Sequence, residues 1–404
     1  MKYAIIVPDG MADFPQEELG GKTPIEAAYT PNMDRIAREG KLGIAHTIPE
    51  GLSPGSDVAN LSLLGYDPLK YYTGRAPLEV AAAGLEMLPG DLAFRCNLVT
   101  VADEKMADYS AGHISSKEAR ALMDFISQEL GSERIHFHPG KSYRNIMLLA
   151  EAEDMQVATT PPHDIIGEPI KKHLPKGKDA RRLLELMQRS RELLEDHEIN
   201  RVRVDLQENP ANMIWLWGQG KRVELPSFEA KYGIKGAAIT AVDLVAGIAR
   251  LIGWDLIDVP GATGYLDTDY AAKGKYASRG LADYDLVYVH IEAPDEASHE
   301  ADLWGKIKAI EQVDKEITGP VLERLKEFGE FRIMVLSDHY TPLSKRTHVA
   351  EPVPFAIYGS GIEGVKQTPF TEAEAKQGEY RIDKGYELME YFLKGGRASR
   401  SQEK

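Results

Sequence analysis

The stretch Tyr3-Ala-Ile-Ile-Val7, stopped by Pro8-Asp9-Gly10, is a compact run of β-forming apolar residues with no polar alternation. A strand covered on both faces reads this way, and such strands belong to parallel sheets wrapped by helices. Ligands of these sheets gather just past the strands' carboxyl ends, so Asp9 stands where a ligand is expected. Beyond it, Thr30-Pro31 opens a helix through Glu39, with proline at its first position and Gly40 as its stop. Leu42 to Ala45 reads as a second strand. It leads into Glu50-Gly-Leu-Ser-Pro-Gly-Ser56-Asp-Val-Ala-Asn-Leu-Ser-Leu-Leu-Gly65, a loop turning on Pro54-Gly55 and then a short helix. Ser56 is expected at the N-cap of that helix, its hydroxyl facing the free N–H groups of the first turn. A helix start also favours phosphate oxygens, and a nearby metal could ionise the hydroxyl. Ser56 is therefore either a plain cap or a nucleophile, and the second reading requires metal ligands elsewhere in the chain.

At 404 residues the chain can bury a large core, and two domains are expected. Hydrophobic content of 43% and charged content of 27% describe a globular protein. A net charge of −15 argues against nucleic-acid and membrane-surface partners, so an anionic substrate would need a local basic pocket. The one cysteine, Cys96, lies in a strand-like run. It excludes an intramolecular disulfide framework and, with Ala4 to Val7 too short for a signal or membrane segment, points to the cytoplasm.

After Gly65 the texture changes. Phe94 to Val101 and Met106 to Tyr109 suggest a hairpin, and Ser115-Ser-Lys-Glu118 is a capping box opening a helix that Gly131 ends. Arg134 to Phe137 and Tyr143 to Leu149 read as strands, and Asp179 to His197 as a long amphipathic helix. Residues 67–206 are read as a smaller α+β domain inserted into a core formed by 1–66 and 207–404. Met213 to Trp217 is expected to resume the core sheet. Asp285 to Ile291, Phe331 to Ser337 and Val353 to Tyr358 follow as strands, and Lys394 to Lys404 is a polar tail expected to fray.

Three features follow the late strands. Asp295 and His299, at i and i+4 of a starting helix, share one face and suit one ion. Asp338-His339 follow the 331–337 run, and His348 lies in a polar loop after them. Mixed carboxylate and imidazole donors suit Mn²⁺ or Zn²⁺ better than Mg²⁺ or Ca²⁺. With Val7-Pro-Asp9-Gly-Met-Ala-Asp13, Pro54-Gly-Ser56-Asp-Val-Ala-Asn60, Ala293-Pro-Asp295-Glu-Ala-Ser-His299 and Ser337-Asp338-His339, the chain resembles the archaeal-type 2,3-bisphosphoglycerate-independent phosphoglycerate mutases of the alkaline phosphatase superfamily. The resemblance covers essentially the whole length.

That resemblance implies an alkaline-phosphatase-like α/β core, its mainly parallel sheet sandwiched by helices, carrying an inserted substrate-binding or lid domain. It implies one divalent ion on Asp9, Ser56, Asp338 and His339, and another on Asp295, His299 and His348, with Mn, Co, Zn or Mg as the metal and no 2,3-bisphosphoglycerate. The reaction implied is interconversion of 3-phosphoglycerate and 2-phosphoglycerate through phosphorylated Ser56. His113 would act as acid/base near the glycerate hydroxyls. Arg144 could grip an oxyanion bidentately. His163, Asp164, Arg75 and Lys275 are further candidate substrate contacts. A metal-dependent phosphomonoesterase or phosphodiesterase would use the same Ser56 and ligands, and a non-catalytic metal-binding protein is a third reading. The insert between Ser56 and Asp295 favours the mutase. The partner expected is a small phosphoglycerate, with a homo-oligomer left open.

Overall fold

The computed structural model describes residues 1–364, 367–378 and 380–396. The expected frayed tail lies, from residue 397 on, outside the described residues. In chain order the first strands are β1 (Lys2–Pro8), β2 (Lys41–Ala45), β3 (Leu92–Ala102), β4 (Lys105–Asp108), β5 (Ile135–Lys141), β6 (Arg144–Leu149) and β7 (Met213–Lys221). The rest are β8 (Gly236–Ile239), β9 (Asp255–Leu256), β10 (Leu286–Ile291), β11 (Phe331–Leu336), β12 (Val353–Gly359) and β13 (Tyr380–Ile382). Contacts divide the chain into two compact units, Met1–Tyr72 with the chain from Glu224 on, and Thr73–Val223.

The larger unit holds an eight-stranded sheet in the order β13-β2-β12-β11-β1-β10-β8-β9. β12 runs antiparallel to both of its neighbours, and the other pairings are parallel. β1, which contains the apolar run Tyr3–Val7, pairs in parallel with β10 on one side and β11 on the other. Because all three strands point the same way, the residues just past them converge at one end of the sheet. Ala4 and Ile6 pack into a large core with Val287, Val289, Ile333 and Val335, while Ile5 and Val7 are equally buried on the other face. Each buried valine or isoleucine among them contributes about 1.5–3 kcal/mol of burial free energy. The expected helix is Pro31–Glu39, but Thr30 makes no side-chain cap. The buried Asp314 carboxylate accepts instead from Asn32 N (3.2 Å) and Met33 N (2.7 Å). It reaches them from a π-helical turn, Val313–Thr318.

The smaller unit is built on β3, which pairs antiparallel with β4, β6 and β7. Asp103 and Glu104, at φ 50° and 58°, form the two-residue turn that joins β3 to β4. The helix Ser116–Leu130 starts with the expected capping box, and Gly131 follows it. One expectation is corrected. Met213 to Trp217 does not resume the core sheet, because Met213–Lys221 pairs along most of β3 and seats Trp215 and Leu216 in the small unit's own core. The small unit accordingly extends to Val223 rather than 206, and begins at Thr73 rather than 67. Among the described residues, no helix is long and apolar enough to cross a membrane.

Candidate active site

Asp9 directly follows β1, and its N–H donates to Ile291 O (2.9 Å) at the end of β10. Asp338 and His339 follow β11. One Asp338 oxygen, Oδ1, is held by Gly10 N (3.1 Å) and His339 N (2.9 Å), and Asn60 Nδ2 donates to the other, Oδ2 (2.9 Å). His339 Nε2 lies 3.3 Å from Asp9 Oδ1 and 3.6 Å from Asp338 Oδ2. Ser56 Oγ stands 3.1 Å from His339 Nε2 and donates to Asp9 Oδ2 at 3.4 Å. The structure thus brings together Asp9, Ser56, Asp338 and His339.

Ser56 is the first residue of the helix Ser56–Leu63 and not its cap. Gly55 occupies the cap, with its carbonyl accepting from Ala59 N (3.0 Å), and the Ser56 hydroxyl bonds to no backbone group of the turn. The plain-cap reading fails for that reason, because the hydroxyl is spent on the Asp9 and His339 side chains. Asn60, one turn on, donates to Ser56 O (2.8 Å) as well as to Asp338, and its own Oδ1 accepts from the Tyr288 hydroxyl. The serine is therefore fastened from behind.

Asp295, His299 and His348 form a second group. His299 Nε2 is 3.0 Å from Asp295 Oδ2, one helical turn apart on Ala293–His299, and His348 Nε2 is 3.5 Å from Asp295 Oδ1. The two imidazoles meet at 3.2 Å through Nε2, and His299 Nδ1 lies 2.9 Å from Arg346 O. Within each group, Asp295, His299 and His348 or Asp9, Asp338 and His339, the candidate ligand atoms lie within 4.8 Å of one another.

Burial, then Asp338, Asp295 and Glu292, raise the Asp9 carboxyl well above the usual range. Burial likewise pushes His339 down to about 4, leaving a neutral imidazole with a lone pair. His299 rises to about 9 through its bond to Asp295, against the opposing effect of burial. Asp9 Oδ1 and both His290 ring nitrogens are buried without a hydrogen-bond partner. Crowded carboxylates, the neutral His339 imidazole and the orphaned Asp9 oxygen fit a divalent cation in the first group; in the second, a cation would take the place of the proton that Asp295 now holds on His299.

Sequence reasoning missed His290, whose Nε2 is 3.3 Å from Asp9 Oδ2 and 3.7 Å from Asp338 Oδ2. A signal was there. In Leu286-Val-Tyr-Val-His-Ile291, Tyr288 and His290 alternate with Val287 and Val289, placing two polar side chains on one face of a buried strand. Lys275 is exposed on the helix Tyr270–Asp283, where the buried lysine is Lys273, lowered to about 8 by burial.

The remaining expected residues lie in the smaller unit. Trp217, His163, Tyr109, Tyr143 and His113 form a chain of ring contacts with centroids 5.2, 6.0, 5.6 and 6.2 Å apart. His113 is exposed at φ 51°. Asp164 Oδ1 is 3.6 Å from His163 Nε2. Arg95, also missed, lies 4.1 Å over the Trp217 ring and forks onto Glu79 at 2.9 and 3.1 Å. His163 is held below its usual value by burial, with Asp164 opposing and Arg95 and Arg75 adding to the depression. Arg144 and Arg75 both act on Arg95 in the same sense, so three guanidinium groups share a neighbourhood. Arg144 Nε is buried without a hydrogen-bond partner, which suits an anion.

The family model for 2,3-bisphosphoglycerate-independent phosphoglycerate mutase matches residues 37–200. The enzyme of that name from Methanothrix thermoacetophila is 51% identical over 98% of this chain and 100% of its own. Among solved structures, a protein from Pyrococcus horikoshii is 32% identical with a TM-score of 0.83, over 99% of both chains. The cofactor-independent phosphoglycerate mutase from Thermoplasma acidophilum is 29% identical with a TM-score of 0.68, over 98% of this chain and 100% of that one.

Proposed function

Because the chain belongs to the 2,3-bisphosphoglycerate-independent phosphoglycerate mutases, we propose that it interconverts 3-phosphoglycerate and 2-phosphoglycerate with Ser56 as the transient phosphoryl acceptor. The supporting observation is the Ser56 hydroxyl, pinned between Asp9 and His339 rather than used as a helix cap. Two divalent cations, manganese, cobalt, zinc or magnesium, held by Asp9, Ser56, Asp338 and His339 and by Asp295, His299 and His348, would polarise the phosphoryl oxygens and acidify the serine hydroxyl. Ser56 gives up its proton as Oγ forms the new bond to phosphorus, and the bond from phosphorus to the glycerate oxygen breaks. That glycerate oxygen takes a proton; on the return the neighbouring hydroxyl loses one as it bonds to phosphorus, the bond from phosphorus to Ser56 Oγ breaks, and Oγ regains its proton. His113 is assigned to carry these protons at the glycerate. Arg144 and Arg75, with His163 and Asp164, are assigned to the substrate's anionic groups, and Arg95 stays with Glu79. Lys275 is the weakest of these assignments, given its exposure. Residues Thr73–Val223 are thus the proposed substrate-binding and lid domain, whose further task is to keep water from phosphorylated Ser56. A cytoplasmic setting, with one buried cysteine, belongs to the same proposal.

A coupled assay tests it. With 3-phosphoglycerate, Mn²⁺ and enolase, and no 2,3-bisphosphoglycerate, phosphoenolpyruvate should accumulate. Release of free phosphate with no phosphoenolpyruvate would replace the mutase by a phosphomonoesterase.

A further inference from the structure

Thr341 belongs to neither ligand group, yet its hydroxyl touches both. It is fully buried, and Oγ1 donates to Asp295 Oδ1 while lying 3.1 Å from His339 Nδ1. A hydroxyl has one proton, and an ionised Asp295 can only accept. The bond to His339 must therefore run from Nδ1–H to Thr341, which leaves the Nε2 lone pair facing Asp9 and Ser56, as a ligand requires. The backbone of Thr341 is fixed independently. Lys306, buried and paired with Asp13 at 2.7 Å, donates to Thr341 O (3.0 Å), and Leu343 N donates to the same Asp13 oxygen (3.1 Å). Gly10 leaves the room, since a Cβ there would lie 2.5 Å from Thr341 Oγ1.

We propose that Thr341 is a positioning residue whose single hydroxyl sets His339 and Asp295 together, so that one side chain organises both ion sites. This rests on the metal reading above. The test is calorimetric titration of the chelator-stripped full chain with Mn²⁺, comparing wild type, Thr341→Val, Thr341→Ala and Thr341→Ser. Loss of the hydroxyl in Thr341→Val, or in Thr341→Ala should the valine variant not fold, is expected to weaken both binding events by about 10- to 100-fold. Thr341→Ser should restore them, which a purely space-filling role would not predict. Unchanged affinities in the hydroxyl-less variants, weakening of one event alone, or no rescue by serine would each overturn the inference. A wild type that takes up no Mn²⁺ would overturn the metal reading, and this inference with it.

Discussion

Gly10 shows how little room the site leaves around its acidic groups. At φ 59° it adopts a conformation that costs a side-chain-bearing residue about 1–2 kcal/mol. An added Cβ would also lie 2.4 Å from Asp295 Oδ1. Gly20 has nearly the same backbone, φ 64°, with nothing within 4 Å of its Cβ position. Gly10→Ala is accordingly expected to lower Mn²⁺ affinity and activity by about 10- to 100-fold, whereas Gly20→Ala costs only about 1–2 kcal/mol of stability and leaves both unchanged. Equal affinities in the two variants would show that the Asp295 carboxylate has freedom the structure denies it. At this level much was legible beforehand. Asp9, Asp338 and His339 announce themselves as polar residues just past apolar runs, and the i, i+4 spacing of Asp295 and His299 fixes a shared face. Thr341 was not legible, because its role depends on two partners 46 and 2 residues away that only the folded chain brings into reach. The displacement of Ser56 from the cap was illegible for a similar reason. Pro-Gly-Ser-Asp permits either residue to cap, and the choice falls to Gly55 once Asp9 and His339 engage the hydroxyl.

The elements behind the site are joined by a buried polar network with its own pH signature. Glu372 heads the short helix Glu372–Lys376, accepting from Asp13 N (3.1 Å) just past β1 and from the Thr23 hydroxyl (2.7 Å). Burial raises its carboxyl from 4.5 to about 7, with the bonds from Thr23 and Asp13 and the Lys306 charge offsetting only part. The folded state therefore binds this proton more tightly than the unfolded chain. The resulting stability is fully present below about 4.5 and is lost as pH rises through about 7. Chemical denaturation across pH 5 to 8 should show wild type losing on the order of 3 kcal/mol relative to Glu372→Gln. Parallel stability curves for the two proteins would contradict that sign. None of this network could be read from the chain, since Lys306 and Glu372 lie 293 and 359 residues from Asp13. Strand direction was equally hidden: β12 has the same apolar texture as β11 but runs against it. The misplacement of β7 has the same root, because an apolar run before Gly218-Gln-Gly220 says that a strand exists and not which sheet it joins.

Labour is divided between the two units of the chain. The groups proposed to ligate metal lie in residues 1–72 and from 224 on, whereas Arg75, Arg95, Arg144, His113 and His163 lie in Thr73–Val223. The net charge of −15 makes a clustered set of guanidinium groups the more telling for an anionic substrate. Arg144→Ala is therefore expected to raise KM for 3-phosphoglycerate by about 10- to 100-fold, the loss of about 1.5–3 kcal/mol expected for a charge-assisted bond. Mn²⁺ affinity should stay at the wild-type level. A variant that loses metal instead, with KM unchanged, would break this division. Ser56 itself is proposed to carry the phosphoryl group between the two hydroxyls of the glycerate. The most direct test of this transfer is mass spectrometry of the full chain, quenched in acid during turnover of 3-phosphoglycerate and digested. A phosphoryl group on the peptide containing Ser56, absent from inactive Ser56→Ala, is the predicted result. Unmodified Ser56 throughout turnover, or mutase activity surviving in Ser56→Ala, would contradict it.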